Sequence, residues 1–304
     1  MKNKLPKFKR TRYLSNSYIQ KDIILPSSLY IVQNNNKFNI TYRERYDIYG
    51  EPNIESFTLP NNKKLYDTLS NKIKNCFKLT LKGCTTDLHD LCNLEHLKDL
   101  NLFECNNLVD GYYLPNLNEL CIHDCSKSWF HGTFPNLTYL HINGYINGLN
   151  HIMSSTDKLQ NLIINTNYFK IAIPKNIIGS LVNLQLNKLS GPFNASINEP
   201  FNNLETLIFG DNFNMAFVDF LESMPKLKTL YLGRSFTGNI NSLYKLQLPL
   251  EKIRLNGIYA KDIDKIMNAL PKLKELQFYD CNLNIMHESQ LTKQYQNTFI
   301  SFMH

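Results

Sequence analysis

Hydrophobic positions recur along this chain as a frame, L-x-x-L-x-L, clearest at Leu97, Leu100 and Leu102, at Leu227, Leu230 and Leu232, and at Leu273, Leu276 and Phe278. Ten copies follow one another, opening at Cys76, Leu97, Leu117, Leu137, Leu159, Leu181, Leu204, Leu227, Leu250 and Leu273. Successive openings lie 21, 20, 20, 22, 22, 23, 23, 23 and 23 residues apart. Apolar residues two apart point to one face of an extended strand, and their neighbours point to the other. Leu100 with Leu102, Leu140 with Ile142, and Leu207 with Phe209 therefore face one way. The pattern predicts one short strand per copy. No copy can bury its own leucines, so each must stack on the next. The expectation is an α/β chain with one parallel sheet, its strands ~4.8 Å apart.

Pro115, Pro135, Pro225 and Pro271 each stand two residues before an opening leucine, where proline stops the preceding segment and favours extended chain. Early intervals between strands leave room only for turns. Later ones predict short helices, one over Ile263, Ile266, Met267 and Leu270 and one over Val218, Leu221 and Met224. Residues 1–65 lack the frame and read as a basic tail followed by a hairpin, Leu29–Val32 with Phe38–Tyr42, that caps the first copy. Residues 65–73 read as helical. Leu291, Tyr295, Phe299 and Phe302, spaced 4, 4 and 3, predict a C-terminal capping helix over 286–304. The framed body between these ends is 66–285.

With 304 residues and 43% hydrophobic content the chain can build a large core, and an unbroken frame favours one continuous core over two. The net charge of +7 is uneven, because Lys2, Lys4, Lys7, Lys9, Arg10 and Arg12 crowd the start. That tail reads first as a solvated terminus, and alternatively as a polyanion-binding or nuclear-import segment. No groove of interleaved aromatic and basic residues accompanies it, so nucleic acid is not the expected partner. No leader-like apolar run follows the lysines, and no stretch of about 18 apolar residues occurs. The expectation is a soluble intracellular protein with no membrane partner, cytoplasmic, with the nucleus as the alternative the tail allows. Seven cysteines, several at one position of the frame, suit packed thiols in a reducing compartment better than disulfides. The N-x-[ST] triplets at Asn39, Asn136 and Asn194 are then chance matches.

Frame, period and prolines together resemble the leucine-rich repeat superfamily over some 210 residues. The resemblance implies a right-handed solenoid, with the parallel sheet on the concave face and turns or short helices on the convex one. It also implies an inward polar residue three past the last strand leucine. Cys84, Cys105, Cys125, Asn167, Asn212, Ser235 and Cys281 stand there, while Tyr145, Leu189 and Ile258 depart from it. The run Leu204 to Asn214, L-x-x-L-x-F-G-x-x-F-N, with a looser copy at Leu227 to Phe236, resembles the FNIP subclass of short repeats. Both groups are mostly recognition scaffolds, some joined to an F-box that recruits a ubiquitin ligase. The N-terminal region shows no F-box pattern.

Function is expected on the outward strand positions. One end offers Asp99, Phe103, Glu119, His123, Tyr139 and His141, an acidic patch with aromatic and histidine side chains. The other offers Tyr231, Lys252 and Arg254, a basic patch with a tyrosine. Aromatic and arginine side chains are the commonest interface anchors. The leading expectation is a non-enzymatic scaffold that binds a protein partner through this face. A ligase adaptor or a weak polyanion binder is the alternative. Cys121, His123 and His141 share a face at distances that would suit zinc, but no second Cys–His pair follows, and neither metal nor cofactor is expected. No Gly-rich phosphate loop, G-x-S-x-G or H-E-x-x-H is present, and Asp262 and Asp264 read as surface charge.

Overall fold

A computed structural model describes residues 28–34, 37–43, 54–60, 77–83, 94–105, 111–125, 130–166, 171–187, 193–195, 200–211, 224–234, 236, 240–245, 248–281 and 285–303. The basic tail, the expected helix at 65–73 and most of that at 218–224 lie outside these residues. Strands β1 (Ser28–Asn34), β2 (Lys37–Arg43) and β3 (Ile54–Pro60) pair antiparallel. The hairpin read at Leu29–Val32 and Phe38–Tyr42 is the β1–β2 pair, with Leu29 opposite Tyr42 and Val32 opposite Asn39.

β1 also runs parallel to β4 (Lys78–Lys82), so the antiparallel trio extends one large sheet. The chain continues through β5 (Asp99–Phe103), the short β6 (Tyr112–Tyr113), β7 (Glu119–His123), the short β8 (Gly132–Thr133) and β9 (Tyr139–Asn143). Then come β10 (Asn161–Asn165), the short β11 (Ile171–Ile173), β12 (Asn183–Asn187), the short β13 (Phe193–Ala195) and β14 (Thr206–Phe209). β15 (Thr229–Tyr231), β16 (Lys252–Asn256), β17 (Glu275–Tyr279) and β18 (Phe299–Met303) complete it. β6 pairs with β8 and β11 with β13 in two small separate sheets. The other eleven strands from β4 to β18 form one parallel ladder in which spatial order follows chain order. Among the described residues the α-helices are few and short: α1 (Leu149–Ser154), α2 (Lys175–Ile178), α3 (Asn241–Lys245), α4 (Ile263–Ala269) and α5 (Ile285–Gln294). The molecule is an α/β structure dominated by its parallel sheet.

The alternation of the frame explains the ladder. Leu100, Leu120, Leu140, Leu162 and Leu184 occupy one register row and are all buried, and Leu102, Ile122, Ile142, Ile164 and Leu186 make the next buried row. The prolines act more specifically than as simple breakers. In Leu114-Pro115-Asn116-Leu117 the Leu117 N–H donates to the Leu114 carbonyl at 3.2 Å, and Phe134–Leu137, Met224–Leu227 and Leu270–Leu273 repeat the bond. Proline thus takes the second position of a β-turn, where its fixed φ is already correct. The first residue of each turn is buried beside its leucine.

Asparagine just before the opening leucine ties neighbouring turns together. Asn116 Nδ2 donates to the Glu95 carbonyl at 2.6 Å, Asn136 Nδ2 to the Pro115 carbonyl at 2.7 Å and Asn203 Nδ2 to the Gly179 carbonyl at 2.7 Å. Lys158 Nζ in turn donates to Asn136 Oδ1 at 2.6 Å. Asn136→Ala removes a half-buried donor and strands one carbonyl, so an equilibrium urea titration is expected to show a loss of about 1 kcal/mol. An unchanged midpoint would mean that water replaces the amide.

Strand ends also repeat. Glu104, Asp124 and Asp280 adopt left-handed φ of 54°, 52° and 51°, at the frame position that Gly83 and Gly144 fill elsewhere. Their N–H groups donate to the next strand, as Asp124 does to the Asn143 carbonyl at 2.7 Å. Next in the chain, Cys105, Cys125 and Cys281 are buried thiols outside any disulfide. Cys105 Sγ donates to the Phe103 carbonyl at 3.4 Å and Cys125 Sγ to that of His123 at 3.3 Å. Cys84, Asn167, Leu189, Asn212 and Ser235 lie outside the described residues. Tyr145 and Ile258 are exposed, and the following Ile146 and Tyr259 are buried instead. At Ile258 the turn uses a different bond, in which Asn256 Oδ1 accepts the Ile258 N–H at 3.1 Å.

The C-terminus corrects one expectation. α5 stops at Gln294, and Phe299 and Phe302 lie on β18, which pairs parallel with β17 rather than continuing a helix. The spacing of 4, 4 and 3 fits a helix by coincidence. Phe-Ile-Ser-Phe-Met is β-prone, and Ile300 and Phe302 pair with Leu276 and Phe278 as one more copy of the frame. That copy escapes notice because a polar residue, Asn297, opens it.

Candidate functional site

The nine expected site residues all sit on the sheet face opposite the leucines, each half-buried or exposed beside at least one buried neighbour. The structure gathers them into two groups. Asp99, Phe103, Glu119, His123, Tyr139 and His141 come from three adjacent strands, β5, β7 and β9, and Tyr231, Lys252 and Arg254 from β15 and β16. Between them β10 and β12 present amides, with Asn183 Nδ2 donating to Asn161 Oδ1 at 2.5 Å and Asn187 Nδ2 donating to Asn165 Oδ1.

In the first group Phe103 stacks on His123 with ring centroids 4.5 Å apart and 7° between planes, and the His141 ring meets His123 edge-on at 4.9 Å. Burial pushes the His123 imidazole below its usual range, against the Asp124 carboxylate, which pulls it up. Burial followed by the neighbouring His123 lowers His141 as well. Both rings are therefore neutral at pH 7. Cys121, between Glu119 and His123 on β7, is pushed up to about 11, first by burial and then by Glu119. Burial likewise raises Tyr139. Asp99 lies 3.7 Å from Lys78, so part of the acidic charge is already matched.

The second group is built around Arg254. Its guanidinium lies 4.2 Å over the Tyr231 ring and 5.3 Å from that of Tyr279. Nε donates to Gln277 Oε1 at 2.6 Å and one terminal nitrogen donates to the Tyr279 hydroxyl at 2.8 Å. The Arg234 guanidinium also lies over the Tyr279 ring, 5.0 Å from its centroid. Lys252 is paired with Glu275 at 3.0 Å and Lys228 with Glu205 at 2.9 Å, so the positive charge of this end rests on the arginines.

Beside Arg254 the face dips into a groove of about 540 Å³, lined by Gln185, Asn187, Ile208, Tyr231 and Tyr279 among others. Gly210 and Gly233 make the dip. A Cβ on Gly210 would come within 2.8 Å of the Asn187 Cα, and one on Gly233 within 2.3 Å of the Gly210 carbonyl oxygen. Gln277, Tyr279 and both glycines stand in the outward columns of the frame but are not among the nine expected site residues. Their signal was available: two glycines interrupt a column otherwise filled by Phe103, His123, Asn143, Asn165 and Asn187, and Gln277 and Tyr279 stand one strand beyond Arg254.

Comparison of the chain with protein-family models, with curated proteins and with solved structures finds no match in any of the three. Among the described residues no helix is long and apolar enough to cross a membrane.

Proposed function

We propose that this chain is a leucine-rich repeat solenoid that acts as a non-enzymatic scaffold, binding a protein partner on the concave face of its parallel sheet. Strands in strict chain order, leucine rows buried in register and cysteines turned inward past the strand ends support the fold assignment. The observation that carries the function is Arg254, already fixed by Tyr231, Gln277 and Tyr279 at the rim of an open groove. Arginine and tyrosine held in place before binding lose little conformational freedom on contact, the usual property of interface anchors.

Affinity capture from the native cell, compared across variants, tests this. Tyr231→Ala and Arg254→Ala are each expected to weaken the captured partner by about 2 kcal/mol or more, roughly 30-fold, while leaving the chain folded. Phe103→Ala and Tyr139→Ala test the opposite end of the same face. Capture that survives Phe103→Ala, Tyr139→Ala and Tyr231→Ala together places the partner elsewhere.

A further inference from the structure

Three soft or borderline donors converge on the outward face, away from the arginine cluster. Cys121 and His123 alternate on β7, and His141 sits in register with Cys121 on β9. Their ligand atoms all lie within 4.8 Å of one another. A tetrahedral zinc with one sulfur and two nitrogens needs ligand separations of roughly 3.3–3.6 Å, within reach of side-chain rotation alone. The absence of a second Cys–His pair in the sequence weighs little against such a site, because adjacent parallel strands, not a loop and a helix, bring the donors together.

We infer that Cys121, His123 and His141 form a zinc site with a fourth position open to water. Two surroundings favour a bound cation over a chance cluster. Phe103 stacks flat on His123 and limits its rotation. Glu119 and Asp99 act on Cys121 with negative charge, opposed by Lys78.

Binding strips the aqua ion of all but one of its waters as Cys121 Sγ and one nitrogen of each histidine take their places, and the Cys121 thiol proton leaves to solvent.

The test titrates the untagged, chelator-stripped full chain with Zn²⁺, and with Co²⁺ for its spectrum. One equivalent per chain is expected, with Co²⁺ giving tetrahedral d–d bands and a thiolate-to-metal charge-transfer band. Cys121→Ser abolishes that band, and His123→Ala and His141→Ala each weaken binding more than about tenfold with circular dichroism unchanged. Phe103→Leu retains one equivalent. In the unsubstituted chain, bound Zn²⁺ shields Cys121 from alkylation, which reads the site without any variant. Lack of stoichiometric uptake, a charge-transfer band that persists in Cys121→Ser, or alkylation of Cys121 at the same rate with Zn²⁺ present overturns the assignment. All these readings are made without a partner, so they succeed or fail independently of the scaffold proposal.

Discussion

Gly233→Ala is expected to destabilise the chain by roughly 3 kcal/mol, at the upper end of what overpacking does. The added Cβ would sit 2.3 Å from the Gly210 carbonyl oxygen, 2.4 Å from its carbonyl carbon and 2.6 Å from the Asp211 Cα. All three are backbone atoms, so no side chain can rotate away, and relief requires β14 and β15 to separate. Their pairing spans only Thr206–Ile208 against Thr229–Tyr231, which leaves little to hold them once strained. Replacing glycine stiffens the unfolded chain and by itself would stabilise by about 0.4–1 kcal/mol. Gly179→Ala isolates that gain, since its Cβ meets nothing within 4 Å. A urea titration should therefore move the two midpoints in opposite directions. A neutral Gly233→Ala would show that the close approach of the two strands is not required.

Leu140→Ala is expected to be larger still, about 3–5 kcal/mol. Leu140 is fully buried and lies in register between Leu120 and Leu162. Truncation removes apolar contact on both sides and leaves a cavity that the rigid ladder cannot close. Because each parallel strand pairs only with its neighbours, the damage should concentrate locally. Native-state hydrogen exchange is expected to lose protection first across β7, β9 and β10 and last at β16 and β17. Tyr139→Ala, one residue away on the outer face, should cost less than 1 kcal/mol. Equal losses for the two substitutions would contradict the inward assignment of the leucine row.

The strands were legible because alternation and period act together: Leu100 and Leu102 can share a buried face only as a strand, and a fixed interval can be kept only by stacking. The hairpin at Leu29–Tyr42 was legible from its turn composition. The C-terminus was misread because Leu291, Tyr295, Phe299 and Phe302 satisfy helical spacing while Phe299–Met303 prefers a strand, and pairing with β17 decides between them. For the face, alternation sets the outward residues opposite the leucines, but their mutual distances depend on rotamers that no spacing rule supplies. That Lys252 is held by Glu275 while Arg254 is held by Tyr231 and Tyr279 is such a case. Gly210 and Gly233 stand in an outward column but are not singled out as site residues, because their role is to leave room and they carry no side-chain chemistry to read.

Strict chain order along the sheet also bears on how the molecule assembles. From Asp99 against Glu119, 20 residues apart, to Glu275 against Phe299, 24 apart, every step of the parallel ladder closes a loop of nearly one length. Loop-closure entropy grows only logarithmically, so each added strand meets almost the same small barrier. Ser28 against Lys78 spans 50 residues, about twice as long, and doubling adds only about 0.6 kcal/mol. A sheet of fourteen strands can therefore grow outward from any nucleus of neighbouring turns, without waiting for distant parts of the chain to meet.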